Sequence, residues 1–293
     1  MSFDLYFYKK KDNPVTERDV ANYLSNNLPF NTSQSPRQWD CENPETGVYF
    51  VIEWNEPDVE DEEFDGFTNL NFSFSLNFFR PEFFGMESFP IIEKFVDDLD
   101  LFIFDPQDFN EHVVPVKFPN GYLKEEWITH NNQVTLDQFE KLNFKYMPVE
   151  KSNYVWNVQF NREKLENTLT EDIFVAGILV LESKKDERLY TFSVWPTHIP
   201  IILPKVDYVI IKKKYKKFFN NIEESGLVAY DTIMAELGDS FEKFDHEVPD
   251  LKVLRQNNAD KISKQFNKLK IECPAVDFGK MIALDKFVNV RPV

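Results

Sequence analysis

Asn69-Leu70-Asn71-Phe72-Ser73-Phe74-Ser75-Leu76-Asn77-Phe78-Phe79 is the stretch that decides the fold. Leu70, Phe72, Phe74, Leu76 and Phe78 alternate with Asn and Ser. A period of two puts every apolar side chain on one face of a strand and every polar one on the other. A helix would scatter the same residues around its axis. The segment therefore predicts an antiparallel strand with one dry face and one wet face.

Upstream, Gly47–Trp54 reads as a second strand, joined to the first by an acidic loop over 55–67. Ser2–Tyr8 is a further strand rich in aromatics. Thr16 followed by Asp19 has capping-box spacing, with Asp in the place of Glu. Val20, Tyr23, Leu24 and Leu28 continue a helix that Pro29 stops. Downstream, Pro81 stands where a helix can begin. Phe84, Ile91, Ile92, Phe95, Val96 and Leu99 form its apolar face, and Pro90 is expected to kink it or delay its start. Leu101–Phe104 is a strand. The order strand, helix, strand, strand, helix, strand is that of a split-βαβ, ferredoxin-like sandwich.

Beyond a Pro-rich connection from Pro106 to Gly121, residues 122–142 and 150–168 read as helices. Strands are expected at 173–181, 188–195 and 206–212, in a mostly antiparallel sheet. Helices are expected over Tyr215–Ile222 and Leu227–Leu237, and a last strand over Met281–Val290. The fold class is α+β, with an acidic domain over 1–145 and a charge-neutral α+β domain over 146–293.

Charge draws the boundary near 145. Residues 1–145 hold 11 Lys+Arg and 28 Asp+Glu, so they carry 11 − 28 = −17, the whole net charge of the chain. Residues 146–293 hold 22 of each. Such a field repels nucleic-acid phosphates and anionic lipid, and it attracts a basic protein. A solvated acidic surface with no partner is the plainer explanation of the same charge. Aromatic residues make up 16%, with 30 Phe, which suits a core and leaves rings to spare for a binding face. No apolar run is long enough to cross a membrane. The N-terminus carries Asp4 and no basic flank, unlike a signal peptide. Cys41 and Cys273, far apart, suggest neither a disulfide framework nor a zinc site, so a reducing cytoplasm is expected.

Several chemistries lack their motifs. The eight glycines are nowhere within ten positions of one another, so no phosphate-cradling or nucleophile-elbow loop is present. His112, His130, His198 and His246 share no helical turn, and no metal or cofactor is expected. His198, in Trp195-Pro196-Thr197-His198-Ile199-Pro200, is the one to watch as an acid or base. Asp61, Glu63, Asp65 and Gly66 match the start of a calcium loop, but Phe72 stands where the bidentate Glu is required. Asp97, Asp98 and Asp100 crowd a helix end whose dipole disfavours them, and Lys94 or Arg80 could relieve them. Lys212, Lys213, Lys214, Lys216 and Lys217, beside Tyr215, Phe218 and Phe219, invite a nucleic-acid reading. The acidic first half argues against it, and favours an amphipathic element facing the acidic domain or solvent.

Ser2-Phe3-Asp4-Leu5-Tyr6-Phe7-Tyr8-Lys9, Glu45-Thr46-Gly47-Val48-Tyr49-Phe50, Asn77-Phe78-Phe79-Arg80-Pro81-Glu82-Phe83-Phe84 and Ile202-Leu203-Pro204-Lys205-Val206-Asp207-Tyr208 resemble a widespread family of uncharacterised bacterial proteins. Some members are encoded near polymorphic toxins, so the resemblance implies an immunity protein. It covers most of the chain, and its motifs are structural, so no catalytic residue carries over.

The expected function is therefore binding and neutralising a bacterial toxin, with a basic nuclease-type effector as the example this charge suits. Glu56, Asp58, Glu60, Asp61, Glu62, Glu63 and Asp65 are the expected steering charges. Trp54, Phe64 and Phe67 are the expected aromatic anchors. The alternatives are an enzyme whose site assembles from distant residues around His198, and a structural or scaffold protein.

Overall fold

The computed structural model describes residues 1–293 except Gln34, 58–63, 109–112, 218–219 and Val293; over 215–217 and 220–222 it describes backbone only. The chain divides into two compact units, Met1–Phe144 with Phe287–Val293, and Lys145–Lys286. Both mix helices with sheets whose described neighbours are mostly antiparallel.

In the first unit the elements run β1 (Ser2–Lys10), α1 (Glu17–Asn27), β2 (Gln38–Glu42), β3 (Tyr49–Trp54), β4 (Phe67–Asn77), α2 (Phe83–Asp98), β5 (Phe102–Phe104) and α3 (Tyr122–Leu142). The sheet order is β2-β3-β4-β1-β5, every described neighbour antiparallel. The 69–79 alternation falls on β4, with Leu70, Phe72, Phe74 and Leu76 all buried. Opposite them on β1, Phe3, Leu5 and Phe7 are fully buried. Helix α2 covers this face: Phe89 meets Phe3 and Phe74 edge-on at 5.9 and 5.7 Å, and Phe95 meets Phe7 at 5.0 Å. Each fully buried ring stabilises the unit by roughly 2–3 kcal/mol. This packing, rather than helix propensity, holds α2 in place.

Thr16 and Asp19 form the expected capping box. The Asp19 amide donates to Thr16 Oγ1, and the Thr16 amide donates to the Asp19 carboxylate, each at 3.2 Å. One expectation is corrected, and one strand is added. Pro90 does not delay its helix: α2 begins at Phe83 and runs through it. An additional strand, β2, forms at the sheet edge, because Trp39 and Cys41 alternate inward opposite Ile52 and Phe50.

The second unit continues with β6 (Lys145–Tyr146), α4 (Val149–Thr168), β7 (Phe174–Val175), β8 (Leu179–Ser183), β9 (Leu189–Trp195), β10 (Ile201–Leu203), β11 (Tyr208–Lys217), β12 (Asn220–Ala229), α5 (Tyr230–Leu237), β13 (Glu242–Lys243), β14 (Lys252–Leu254), α6 (Gln256–Phe266), α7 (Ala275–Phe278) and β15 (Gly279–Ile282). One sheet has the order β12-β11-β9-β8-β15 and another β13-β14-β10-β7. The tail carries β16 (Phe287–Val288) and groups with the first unit, where the Glu82 amide donates to Asn289 Oδ1 at 2.7 Å.

The expected helices over 215–222 and 227–237 are corrected. Tyr208–Lys217 and Asn220–Ala229 pair residue for residue as one long hairpin, and only Tyr230–Leu237 is helical. The lysines hide the strand period, since both faces of its outer half carry charge. Lys212 and Lys214 pair with Glu223, and Lys213 with Glu224 across the hairpin. Lys213 also donates to the Leu269 carbonyl at 2.8 Å. The last strand, expected over Met281–Val290, is likewise replaced by two short ones, β15 and β16.

Candidate functional site

The sheet of the first unit has one face on which no helix packs among the described residues. On that face the register aligns Gln38, Glu53, Ser73, Tyr6 and Phe104 in a row across all five strands. Asp40, Val51, Ser75 and Asp4 form the neighbouring row. Tyr6, at 36% exposed, presents its ring to solvent.

The loop joining β3 to β4 returns onto this face. Its last turn is Phe64-Asp65-Gly66-Phe67, where the Phe67 amide donates to the Phe64 carbonyl at 3.1 Å. Gly66 adopts φ +80, the left-handed conformation that the third position of such a turn needs. The turn lays Phe64 on Tyr8 and Phe104, with centroids at 5.3 and 4.9 Å. It lays Phe67 on Phe102 at 5.1 Å. Lys10 and Lys117 stand over the Phe102 ring at 5.3 and 5.4 Å. Phe64 and Phe67 are half-buried, and Asp65 is exposed.

Trp54 lies elsewhere. It pairs across from Phe72, which is fully buried on the helix-covered side, whereas Phe67 pairs across from Lys10 on the other side. The Arg37 guanidinium stacks 4.2 Å above the Trp54 ring and donates to Glu56 at 3.2 Å. The structure therefore brings together two of the three expected anchors, Phe64 and Phe67, and sets Trp54 on the opposite side of the sheet. Glu56 is exposed and ion-paired. Asp58, Glu60, Asp61, Glu62 and Glu63 lie outside the described residues, as does His112.

Sequence reasoning missed Tyr6, Tyr8, Phe102 and Phe104. Their strands were readable, but which face each ring takes depends on the pairing register. Among the described residues, no Lys or Arg reaches Asp4, Asp40 or Glu53 as an ion pair. Asp4 is instead held by hydroxyls: Ser75 Oγ donates to it at 2.6 Å and Ser2 Oγ at 3.0 Å.

Elsewhere the candidates prove structural in their contacts. His198 packs its ring 6.0 Å from Phe266, and among the described residues no hydrogen bond or ion pair joins it to a carboxylate. His246 accepts from the Val248 amide at 3.1 Å. Asp98 accepts from Tyr23 Oη at 2.6 Å and pairs with Lys94; these bonds hold its carboxyl below the usual range. Arg80 takes no part in that relief, since it donates to Tyr49 Oη and the Phe79 carbonyl. No group of His, Cys, Asp and Glu among the described residues is arranged to hold a metal. No described helix is long and apolar enough to cross a membrane. Comparison with protein-family models, with characterised proteins and with solved structures found no match.

Proposed function

We propose that this chain is an immunity-type protein that binds and neutralises a bacterial toxin, using the acidic loop and the aromatic surface at its root. One observation carries the reading. The turn at 64–67 seats Phe64 and Phe67 on Tyr8, Phe104 and Phe102, so a half-exposed aromatic floor is built by residues that directly follow the densest run of acids in the sequence. Aromatic anchors supply most interface energy, and charges of one sign speed encounter with a basic partner. A basic nuclease-type effector suits this chemistry, because carboxylates can occupy its phosphate track.

Two finer readings accompany it. We read the first unit as a split-βαβ sandwich with one added edge strand. The supporting facts are the order β5-β1-β4-β3 and the helices that follow β1 and β4. A cytoplasmic setting fits the two free cysteines, Cys41 and Cys273.

The test is co-expression with the product of the adjacent gene. Rescue of growth from that product's toxicity, with a stable complex on gel filtration, is the expected result. Neither rescue nor a complex would sink the reading.

A further inference from the structure

The described helices of the first unit all pack on one side of its sheet; on the other side Lys10 and Lys117 gather at the Phe102 end, and the rest of the face carries acids. α2 buries its rings against Phe3, Phe7 and Phe74 on the covered side. α1 also serves that side: Ser25 accepts from Trp39 Nε1 at 3.0 Å, and Tyr23 packs on Phe95 at 5.5 Å. α3 adds Trp127, 6.4 Å from Phe89.

The bare face carries two adjoining rows, Asp40-Val51-Ser75-Asp4 and Gln38-Glu53-Ser73-Tyr6-Phe104. Three acids stand in these rows and no Lys or Arg. The serines form a low floor between taller side chains at both ends. Ser73 and Ser75 are fixed, the first accepting from Asn55 Nδ2 at 3.0 Å and the second donating to Asp4. Val51 and Tyr6 offer apolar surface within the same rows.

We propose that this face is a docking surface for a basic polypeptide segment, whose Arg or Lys side chains meet Asp4, Asp40 and Glu53 while their stems lie on Val51 and Tyr6. The proposal rests on the toxin-binding reading above and extends the interface from the loop onto the sheet. Size supports the extension. Five strands at about 4.8 Å spacing, and nine residues of β1 at about 3.4 Å each, give roughly 500 Å² in projection. A standard interface takes about 800 Å² from each partner, so the face by itself supplies more than half of one side. Guanidinium groups suit the site because their stems are apolar and their heads bind carboxylates in a fixed geometry.

The test is titration of the full-length, isotope-labelled protein with a nine-arginine peptide, followed by amide chemical shifts. A nine-glutamate peptide is the control. Saturable shifts at Tyr6, Glu53, Ser73 and Ser75 are expected. The pair D40N/E53Q, one half-buried and one exposed, should weaken the peptide by about five-fold, as two weakly screened surface ion pairs would. Its thermal midpoint should match the parent, and D4N is kept as a second variant because Asp4 also holds Ser2 and Ser75. Shifts confined to the loop, with D40N/E53Q binding normally, would overturn this inference and leave the loop reading standing. Shifts spread evenly over the whole acidic surface, unaffected by either set of changes, would remove both.

Discussion

The Lys9 ammonium lies 3.1 Å from Asp100 Oδ2 and 2.8 Å from the Asp100 backbone oxygen, and it donates to the Leu99 carbonyl at 2.8 Å as well. One buried cation from β1 thus satisfies two carbonyls just past the end of α2 and neutralises an acid that the helix dipole disfavours. The acidic helix end is therefore a structural clasp, with Lys117 as its outer partner. Replacing Lys9 by Met should cost about 2–3 kcal/mol, the range for charge-assisted bonds whose carbonyl partners are then left unpaired. Urea denaturation reads this directly. An unchanged midpoint would mean that water replaces the ammonium without loss.

Asp100 gives the same clasp a pH dependence. Hydrogen bonds from Lys117, then Lys9, hold its carboxyl at about 2. A folded-state value below the unfolded one contributes stability that is present above about pH 4 and lost as pH falls toward 2. The side chain is half exposed, so solvent screens the effect and the acid-limb loss should be modest. Asp100→Asn should flatten that limb between pH 4 and 2, and acid unfolding curves that superimpose would contradict it.

Asp105 should behave in the opposite sense. Burial pushes its carboxyl up to about 6, against the Gln107 amide that donates to it at 2.8 Å. A raised carboxyl destabilises the folded state above pH 6, and that cost disappears as pH falls toward 4. Asp105→Asn keeps an oxygen for the Gln107 amide and removes the charge. It should stabilise the protein by about 1–3 kcal/mol at pH 7.5 and by almost nothing near pH 4. Equal urea midpoints at pH 7.5 would show that the carboxylate is better solvated than its burial implies.

These clasps mark what the sequence made legible and what it did not. The β4 alternation was readable because Phe72 and Phe74 lie on the helix-covered side while Ser73 and Ser75 lie on the side that no described helix covers, so chemistry and geometry share a period of two. The β11–β12 hairpin was not, because Lys212–Lys214 take carboxylates from the partner strand, a pairing invisible along one strand. The same holds for the candidate site. Phe64 and Phe67 could be named from their place beside the acids. That Trp54 belongs to the other side follows only from its register with Phe72.

Gly85 tests the packing beneath α2. A Cβ there would stand 2.8 Å from Trp127 Cε3, in a ring with no exposed surface and so no room to swing. Alanine gains about 1 kcal/mol of helix propensity, but overpacking a tight core costs about 1–3 kcal/mol. Gly85→Ala should therefore be destabilising by about 1 kcal/mol, read by thermal unfolding and by a change in tryptophan fluorescence. A stabilised variant would mean that α2 and α3 separate freely.

The anchors can be told apart by paired substitutions. Phe64 is half-buried on Tyr8 and Phe104, so Phe64→Ala should cost the fold only about 1 kcal/mol of lost burial. At an interface the same ring would be desolvated completely, and its loss should weaken the toxin partner by at least about ten-fold. Trp54→Ala removes a ring of similar exposure on the other side of the sheet, where Arg37 already covers it. That change should leave affinity within about two-fold, because a contact remote from the interface contributes nothing to it. Titration calorimetry on the co-purified partner compares the two. If Trp54→Ala costs as much as Phe64→Ala, the partner does not sit on the bare face. If neither costs anything, the aromatic floor is part of the fold alone and the acids act without anchors.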